Sequence, residues 1–304
     1  MGNVTVLAGG TGSVKLVRAL YKLNKKDICI ICNVGDNIWL HGLYICPDID
    51  TIVYGIADML DVNRGWGVKG DTFNCLEQLK LLGEDNWFML GDKDLALHIL
   101  RSRLLREGKS LCEVTKYLCY KLGIDAKIIP ASNDTLETRI LTEQGDMHLQ
   151  EFWVKYKGLL DVKDIKYKGY ARACEEALDA INNSSKIIIA PANPISSIGA
   201  ILAVQGIKEA LNANRSKCIA VSPIIGDSPV SGPAGKYMRA LGYDVNALSI
   251  AKLYSSIISS IVIDTRDVKY KGDIEGLGIK VHVTEIFMND EIEELRLARF
   301  LLNI

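Results

Sequence analysis

The chain has 304 residues, 48% hydrophobic and 24% charged, the composition of a globular protein with a large core, which excludes a disordered or fibrous chain. Its 36 basic and 37 acidic residues nearly cancel, so no global field recruits nucleic acid or an anionic membrane, and any anion site must be local. No apolar run approaches the ~20 residues that span a bilayer, the eight cysteines are scattered through apolar segments, and the N-terminus starts on a core strand without a secretory pattern, so a reducing cytoplasm is expected.

Val4–Ala8 is an apolar, β-branched run that predicts a first strand. Gly9-Gly10-Thr11-Gly12-Ser13-Val14-Lys15 follows it and leads into a helix, where Val14, Val17, Leu20 and Tyr21 share one face while Lys15, Arg18 and Lys22 stay wet. Ile28–Cys32 predicts a second strand. Its Cys29-x-x-Cys32 invites a redox or zinc reading, but residues three apart on a strand face opposite sides of the sheet. Beyond it come Asn33-Val34-Gly35-Asp36-Asn37, a turn at His41-Gly42-Leu43, and Cys46-Pro47-Asp48-Ile49-Asp50-Thr51.

From about residue 50 to 122 the pattern is helical without a clear strand, longer than a normal crossover, and predicts a cap over the strand ends. Within it, Gly91-Asp92-Lys93-Asp94-Leu95 opens a helix whose His98 and Arg101 share a face with Asp94 and whose Leu97, Leu100 and Leu104 are read as the buried side. Further strands are predicted at Lys127–Ile129, Lys186–Ala190, Cys218–Val221, Ile261–Asp264 and Val281–Val283. A hairpin is predicted over about 138–154, turning at Gln144-Gly145-Asp146, and a last helix runs from Asp290 to Leu302. Strand and helix alternation of this kind implies one three-layer, Rossmann-like, doubly wound α/β domain over 1–304, with a mainly parallel sheet, a helical cap and a small hairpin.

A glycine-rich turn between a strand and a helix lets backbone N–H groups approach phosphate oxygens, so Gly9, Gly10, Thr11 and Gly12 are candidate phosphate ligands, with Lys15 as an added point charge. The loop departs from G-x-G-x-x-G, because Lys15 holds the third glycine position, and from Walker A, which ends in Gly-Lys-Ser/Thr. Asp36, Asp48 and Asp50 fall within fifteen residues after a buried strand, where carboxylates need a cation. Asp36 and Asp48 are the expected ligands of a divalent metal, Mg2+, held between acids and a bound di- or triphosphate. Asp50 is equally placed to cap the helix that follows, and one of Asp92 and Asp94 to cap its own. Two loops after buried strands, Pro191-Ala192-Asn193-Pro194 and Ser222-Pro223-Ile224-Ile225-Gly226, offer Asn193 and Ser222 as hydrogen-bonding partners for a ligand.

In this order, Gly9-Gly10-Thr11-Gly12, Asn33-Val34-Gly35-Asp36, His41-Gly42-Leu43, Pro47 to Thr51, Gly91 to Leu95, Ala190 to Pro194 and Val221 to Gly226 resemble the 2-phospho-lactate transferase family, which makes the core of the deazaflavin coenzyme F420. The resemblance covers nearly the whole chain. Asn37 stands where many members carry a second acid, and Ala192 where serine is common. The resemblance implies that a lactyl- or enolpyruvyl-diphosphoguanosine donates its phospho-acid moiety to the terminal ribityl hydroxyl of the deazaflavin Fo, releasing GMP. It also implies a homodimer. Magnesium on Asp36 and Asp48 would neutralise the departing phosphate, and Asp50, near the metal, is the natural acceptor of the hydroxyl proton. The deazaflavin pocket is expected under the cap, near Asp92, Asp94, His98 and Asn193. Two rivals are a nucleotide-sugar-binding regulator, which has less need of three acids, and a nicotinamide-dependent oxidoreductase, disfavoured by Lys15 and by Asn33 at the end of the second strand.

Overall fold

The computed structural model describes residues 2–304. The seven β-branched runs form one seven-stranded sheet: β1 (Val4–Ala8), β2 (Ile28–Cys32), β3 (Lys127–Pro130), β4 (Lys186–Ile189), β5 (Cys218–Val221), β6 (Ser260–Ile263) and β7 (Lys280–Val283). Every neighbouring pair is parallel. A parallel sheet is covered on both faces, so its strands are apolar at successive rather than alternate positions. Accordingly every residue of β1, β5 and β6 is buried.

The strand order is β3-β2-β1-β4-β5-β6-β7. The chain therefore builds outward from β1 in one direction, then returns to the other side of β1 with β4. Loops leaving the carboxyl ends of β1 and β4 diverge there and open a crevice, the place where doubly wound sheets hold ligands.

Helix α1 (Val14–Leu23) buries Val14, Leu16, Val17, Ala19 and Leu20. Its outer side is fastened to the C-terminal helix (Glu291–Asn303) by Arg18, which reaches the buried Glu294 at 2.6 Å. That helix is capped by the Asp290 carboxylate, which accepts from the Glu293 amide. Between β2 and β3 lie α2 (Pro47–Ile56), α3 (Asn74–Leu81), α4 (Asp92–Arg106) and α5 (Leu111–Lys121). A short hairpin precedes them, Ile38–Leu40 against Leu43–Ile45, turned by His41 (φ 49°) and Gly42 (φ 70°). Two successive left-handed residues give the tight turn that suits the twist of a hairpin. Strands of three residues are too short to reveal a period in the sequence.

The hairpin expected around residues 138–154 is present and is extended by a third strand. Glu137–Thr142 pairs antiparallel with Gly145–His148 on one side and with Val162–Lys168 on the other, forming a three-stranded sheet. Glu151–Lys155 is a single helical turn that buries Phe152. The third strand escaped notice because Val162-Lys163-Asp164-Ile165-Lys166-Tyr167-Lys168 is mostly charged, as befits a strand with one wet face. Among the described residues no helix is long and apolar enough to cross a membrane.

Candidate active site

The loops after β1, β2 and β4, the start of α2 and the segment before the Ala234–Ala240 helix converge on a cleft of about 660 Å³. Its floor is polar, with Gly10, Thr11, Gly12, Asp36, Asp48 and Asn193. Its walls are aromatic and apolar, with Trp66, Phe88, Met89 and Trp153, and the cationic side chains of Arg64 and Lys157 also line it.

Asp36 and Asp48 are the acids that line this cleft, and both are buried. Asp48 lies in the first turn of α2 and accepts a hydrogen bond from the Asn33 amide at 2.9 Å. Asn33, the first residue past β2, is itself fixed: its Oδ1 accepts from the Gly35 amide and its Nδ2 also reaches the Ser196 carbonyl. Burial pushes the Asp48 carboxyl up to about 6, against hydrogen bonds from Asn33 and the Gly10 amide that favour the charged form. Burial and the neighbouring Asp48 hold Asp36 well above the ordinary carboxylate range, although Asn33 and Thr138 donate to it. Among the described residues no lysine, arginine or histidine pairs with either acid. Two buried carboxylates sharing a cleft without a protein cation form a hard oxygen donor set, and such a set fits Mg2+.

The glycine loop is packed too tightly for side chains. A Cβ on Gly9 would lie 2.6 Å from Ser197 Oγ, and one on Gly10 would lie 2.5 Å from Asp48 Oδ1. The Gly9 amide donates to Ser13 Oγ at 3.0 Å, and the Gly10 carbonyl accepts from the Ser13 and Val14 amides. Thr11 and Gly12 are left facing the cleft at the N-terminus of α1, where backbone donors and the helix dipole favour an anion. Asn193 also lines the cleft, with its Oδ1 turned back onto the Ile195 and Ser196 amides.

The remaining sequence candidates lie outside this cleft. Lys15 Nζ donates to the Met288 carbonyl at 2.7 Å, joining α1 to the C-terminal segment rather than reaching into the loop. Ser222 is fully buried and closes its own turn, its hydroxyl donating to the Ile224 carbonyl and accepting from the Ile224 amide. The Asp92 carboxylate caps α3, accepting from Thr72 Oγ1 and from the Asn74 and Cys75 amides, and these bonds lower it to about 2.

Asp50, Asp94 and His98 form part of a buried polar network between α2 and α4. Asp50 makes a two-pronged ion pair with Arg101, which is fully buried. Arg101 Nη1 is 3.2 Å from His98 Nδ1, and His98 Nε2 is 3.1 Å from Asp94, which also accepts from the Tyr54 hydroxyl. Burial would raise Asp94, but His98, Tyr54 and Arg101 outweigh it and hold the carboxyl below its usual value. Of the residues expected around the deazaflavin pocket, Asn193 lines the cleft, whereas Asp92, Asp94 and His98 do not. Asp94 and His98 join α4 to α2, so this face of α4 is buried in addition to the expected leucine face, where Leu104 packs on Val114 and Leu118.

Sequence reasoning missed the cleft's walls. Trp66, Phe88, Met89 and Trp153 sit in irregular segments or a short helical turn, where no periodicity marks an aromatic as lining. Their concentration in an otherwise aromatic-poor chain, 7% in all, was the available signal. Tyr237, on the Ala234–Ala240 helix, was missed as well. It is buried, it lines the cleft, and its hydroxyl has no partner among the described protein groups.

The family model for 2-phospho-L-lactate transferase CofD matches residues 4–281. The 2-phospho-L-lactate transferase of Methanocaldococcus jannaschii is 43% identical over 303 residues, covering 97% of this chain and 96% of that one. The enzyme of the same name from Methanosarcina acetivorans is 39% identical over 302 residues, covering 98% of each. Among solved structures, a UPF0052-family protein of Bacillus halodurans superposes with a TM-score of 0.69 over 99% of each chain. At 15% identity it speaks for the fold alone.

Proposed function

Because the chain belongs to the 2-phospho-L-lactate transferase CofD family and is a transferase, we propose that its cleft moves a phospholactyl or phosphoenolpyruvyl group from a guanosine diphosphate-linked donor to the terminal hydroxyl of Fo, releasing GMP in coenzyme F420 biosynthesis. The observation that carries this reading is the joining, in one cleft, of a buried acid pair, a glycine loop at a helix N-terminus and an aromatic wall.

Each part answers a need of the reaction. The donor's phosphates suit the Thr11 and Gly12 backbone beside the N-terminus of α1, and Arg64 or Lys157 can offset charge from the rim. A flat, uncharged deazaflavin suits a wall of Trp66, Phe88 and Trp153. Its ribityl hydroxyl must lose a proton while attacking phosphorus, and Asp36 and Asp48 are the carboxylates within the cleft. Mg2+ held by Asp36 and Asp48 would supply charge neutralisation on the phosphates as GMP departs. Asn33 keeps the pair aimed at the cleft by fixing Asp48 from behind. Asp50, paired with Arg101, keeps α2 docked so that Asp48 two residues earlier holds its place.

The test is to incubate the protein with Fo, Mg2+ and each guanylylated three-carbon acid and to weigh the deazaflavin product. The expected result is a product heavier by the phospho-acid unit and formation of GMP, with Asp48→Asn losing far more in turnover than in nucleotide affinity. Full turnover in excess chelator would defeat the metal assignment. No product from any guanylylated acid would defeat the donor assignment.

A further inference from the structure

A second cavity, about 630 Å³, shares no lining residue with the cleft and is ringed by thiols, with Cys29, Cys112 and Cys119 on its wall together with Glu176. Cys112 sits in the first turn of α5, and Cys174 is the N-cap of the helix Glu175–Asn182, which presents Glu176 from its first turn. Both helices start beside the carboxyl end of β3. There the Pro130 carbonyl accepts from Cys174 Sγ at 2.9 Å and lies 4.0 Å from Cys112 Sγ. One carboxylate oxygen of Glu176 and the two sulfurs all lie within 4.8 Å of one another. The two thiols are buried and the carboxylate is exposed, and Cys112 and Glu176 line the cavity.

We propose that Cys112, Cys174 and Glu176 form a binding site for a thiophilic divalent cation of the zinc class, separate from the metal site of the transfer reaction. A tetrahedral zinc with sulfur ligands at about 2.3 Å sets those sulfurs about 3.8 Å apart, so the present cluster needs only a small contraction. Two thiolates and one carboxylate are the mixed donor set that zinc accepts and magnesium does not. This donor chemistry divides the metals between the two sites. Cys112 and Glu176 line the second cavity, so it is the route by which a cation would reach the group. Binding converts both thiols to thiolates and releases their two protons, so affinity rises with pH.

Cobalt(II) reports this directly, because a sulfur–cobalt charge-transfer band in the near ultraviolet arises only from thiolate ligation. Reduced full-length protein titrated with Co2+ is expected to develop that band, saturating at one equivalent and bleaching when Zn2+ is added. Asp48→Asn should leave the band intact. Cys112→Ser and Cys174→Ser should each diminish it and their combination abolish it, with circular dichroism confirming the fold. Glu176→Gln should keep the band but weaken the binding. Absence of the band in the reduced wild-type protein overturns the proposal without recourse to any variant. So does a band that survives in the folded double variant.

Discussion

Replacing Asp50 by asparagine separates a catalytic carboxylate from a structural one. Asp50 is 4% exposed and Arg101 0%, and Asp50 is the carboxylate that holds the guanidinium in a two-pronged pair. Asp50→Asn keeps the volume but leaves Arg101 buried with only an amide before it. Breaking one side of a buried pair costs about 3–5 kcal/mol, because the surviving charge keeps its desolvation penalty without its partner. With an unfolding entropy of about 2.1 cal/mol/K per residue, a chain of 304 residues should lose ~5–8 °C in Tm. Thermal unfolding followed by circular dichroism measures this, and turnover per folded molecule is assayed well below the transition. The expected pattern is a clear fall in Tm with a smaller loss of turnover. The double variant Asp50→Leu, Arg101→Met should recover much of the stability, since an apolar pair of similar size avoids the stranded charge. An unchanged Tm with turnover abolished would refute this reasoning and restore Asp50 as the proton acceptor.

Gly10→Ala sets a methyl 2.5 Å from Asp48 Oδ1, so the carboxylate must move. A displacement near 1 Å at a reacting group costs about 100-fold, and turnover should fall by that order while Tm changes little. Wild-type turnover would mean that Asp48 is not held by the loop. Trp153→Ala removes part of the aromatic wall and should raise the acceptor KM by several-fold, in keeping with ~0.5–1.5 kcal/mol for an aromatic contact, with donor KM unmoved. A rise in donor KM instead would assign that wall to the guanine. Lys15→Met breaks the bond to the Met288 carbonyl and should lower stability by about 1 kcal/mol without changing nucleotide affinity by calorimetry. A tenfold weakening, about 1.4 kcal/mol, would return Lys15 to the phosphate site.

The parallel sheet was legible because its strands are buried on both faces. Ile28-Cys29-Ile30-Ile31-Cys32 and Lys186-Ile187-Ile188-Ile189 announce themselves without any knowledge of their neighbours. The half-wet strands did not. In Val162–Lys168, alternation is carried by one buried isoleucine, Ile165, amid lysines, and it becomes a strand only because Glu137–Thr142 offers it a free edge. Periodicity detects what a segment buries when burial is apolar. Helix α4 buries two faces: the expected leucine face, where Leu104 packs with Val114 and Leu118 and is joined by Leu97 and Leu100, and a polar one of Asp94, His98, Arg101 and Ser102, which apolar periodicity does not announce.

The same physics explains which site residues the sequence disclosed. Gly10, Asp36 and Asp48 sit at strand ends and helix starts, positions where the doubly wound topology itself gathers ligands, so motif and fold point to one place. Asp50 and Asp94 carry the same chemistry two to four residues from cleft-lining or expected site positions. What parts them from the cleft is direction, since Asp48 and Asp50 on one helix turn are about 200° apart around its axis. Asp48 therefore faces the glycine loop, and Asp50 faces Arg101, a partner 51 residues away that no local pattern reveals. An acid cluster in a sequence gives the number of carboxylates available. The helix that carries them decides which one lines the cleft, and here it turns Asp48 to the cleft and Asp50 to Arg101.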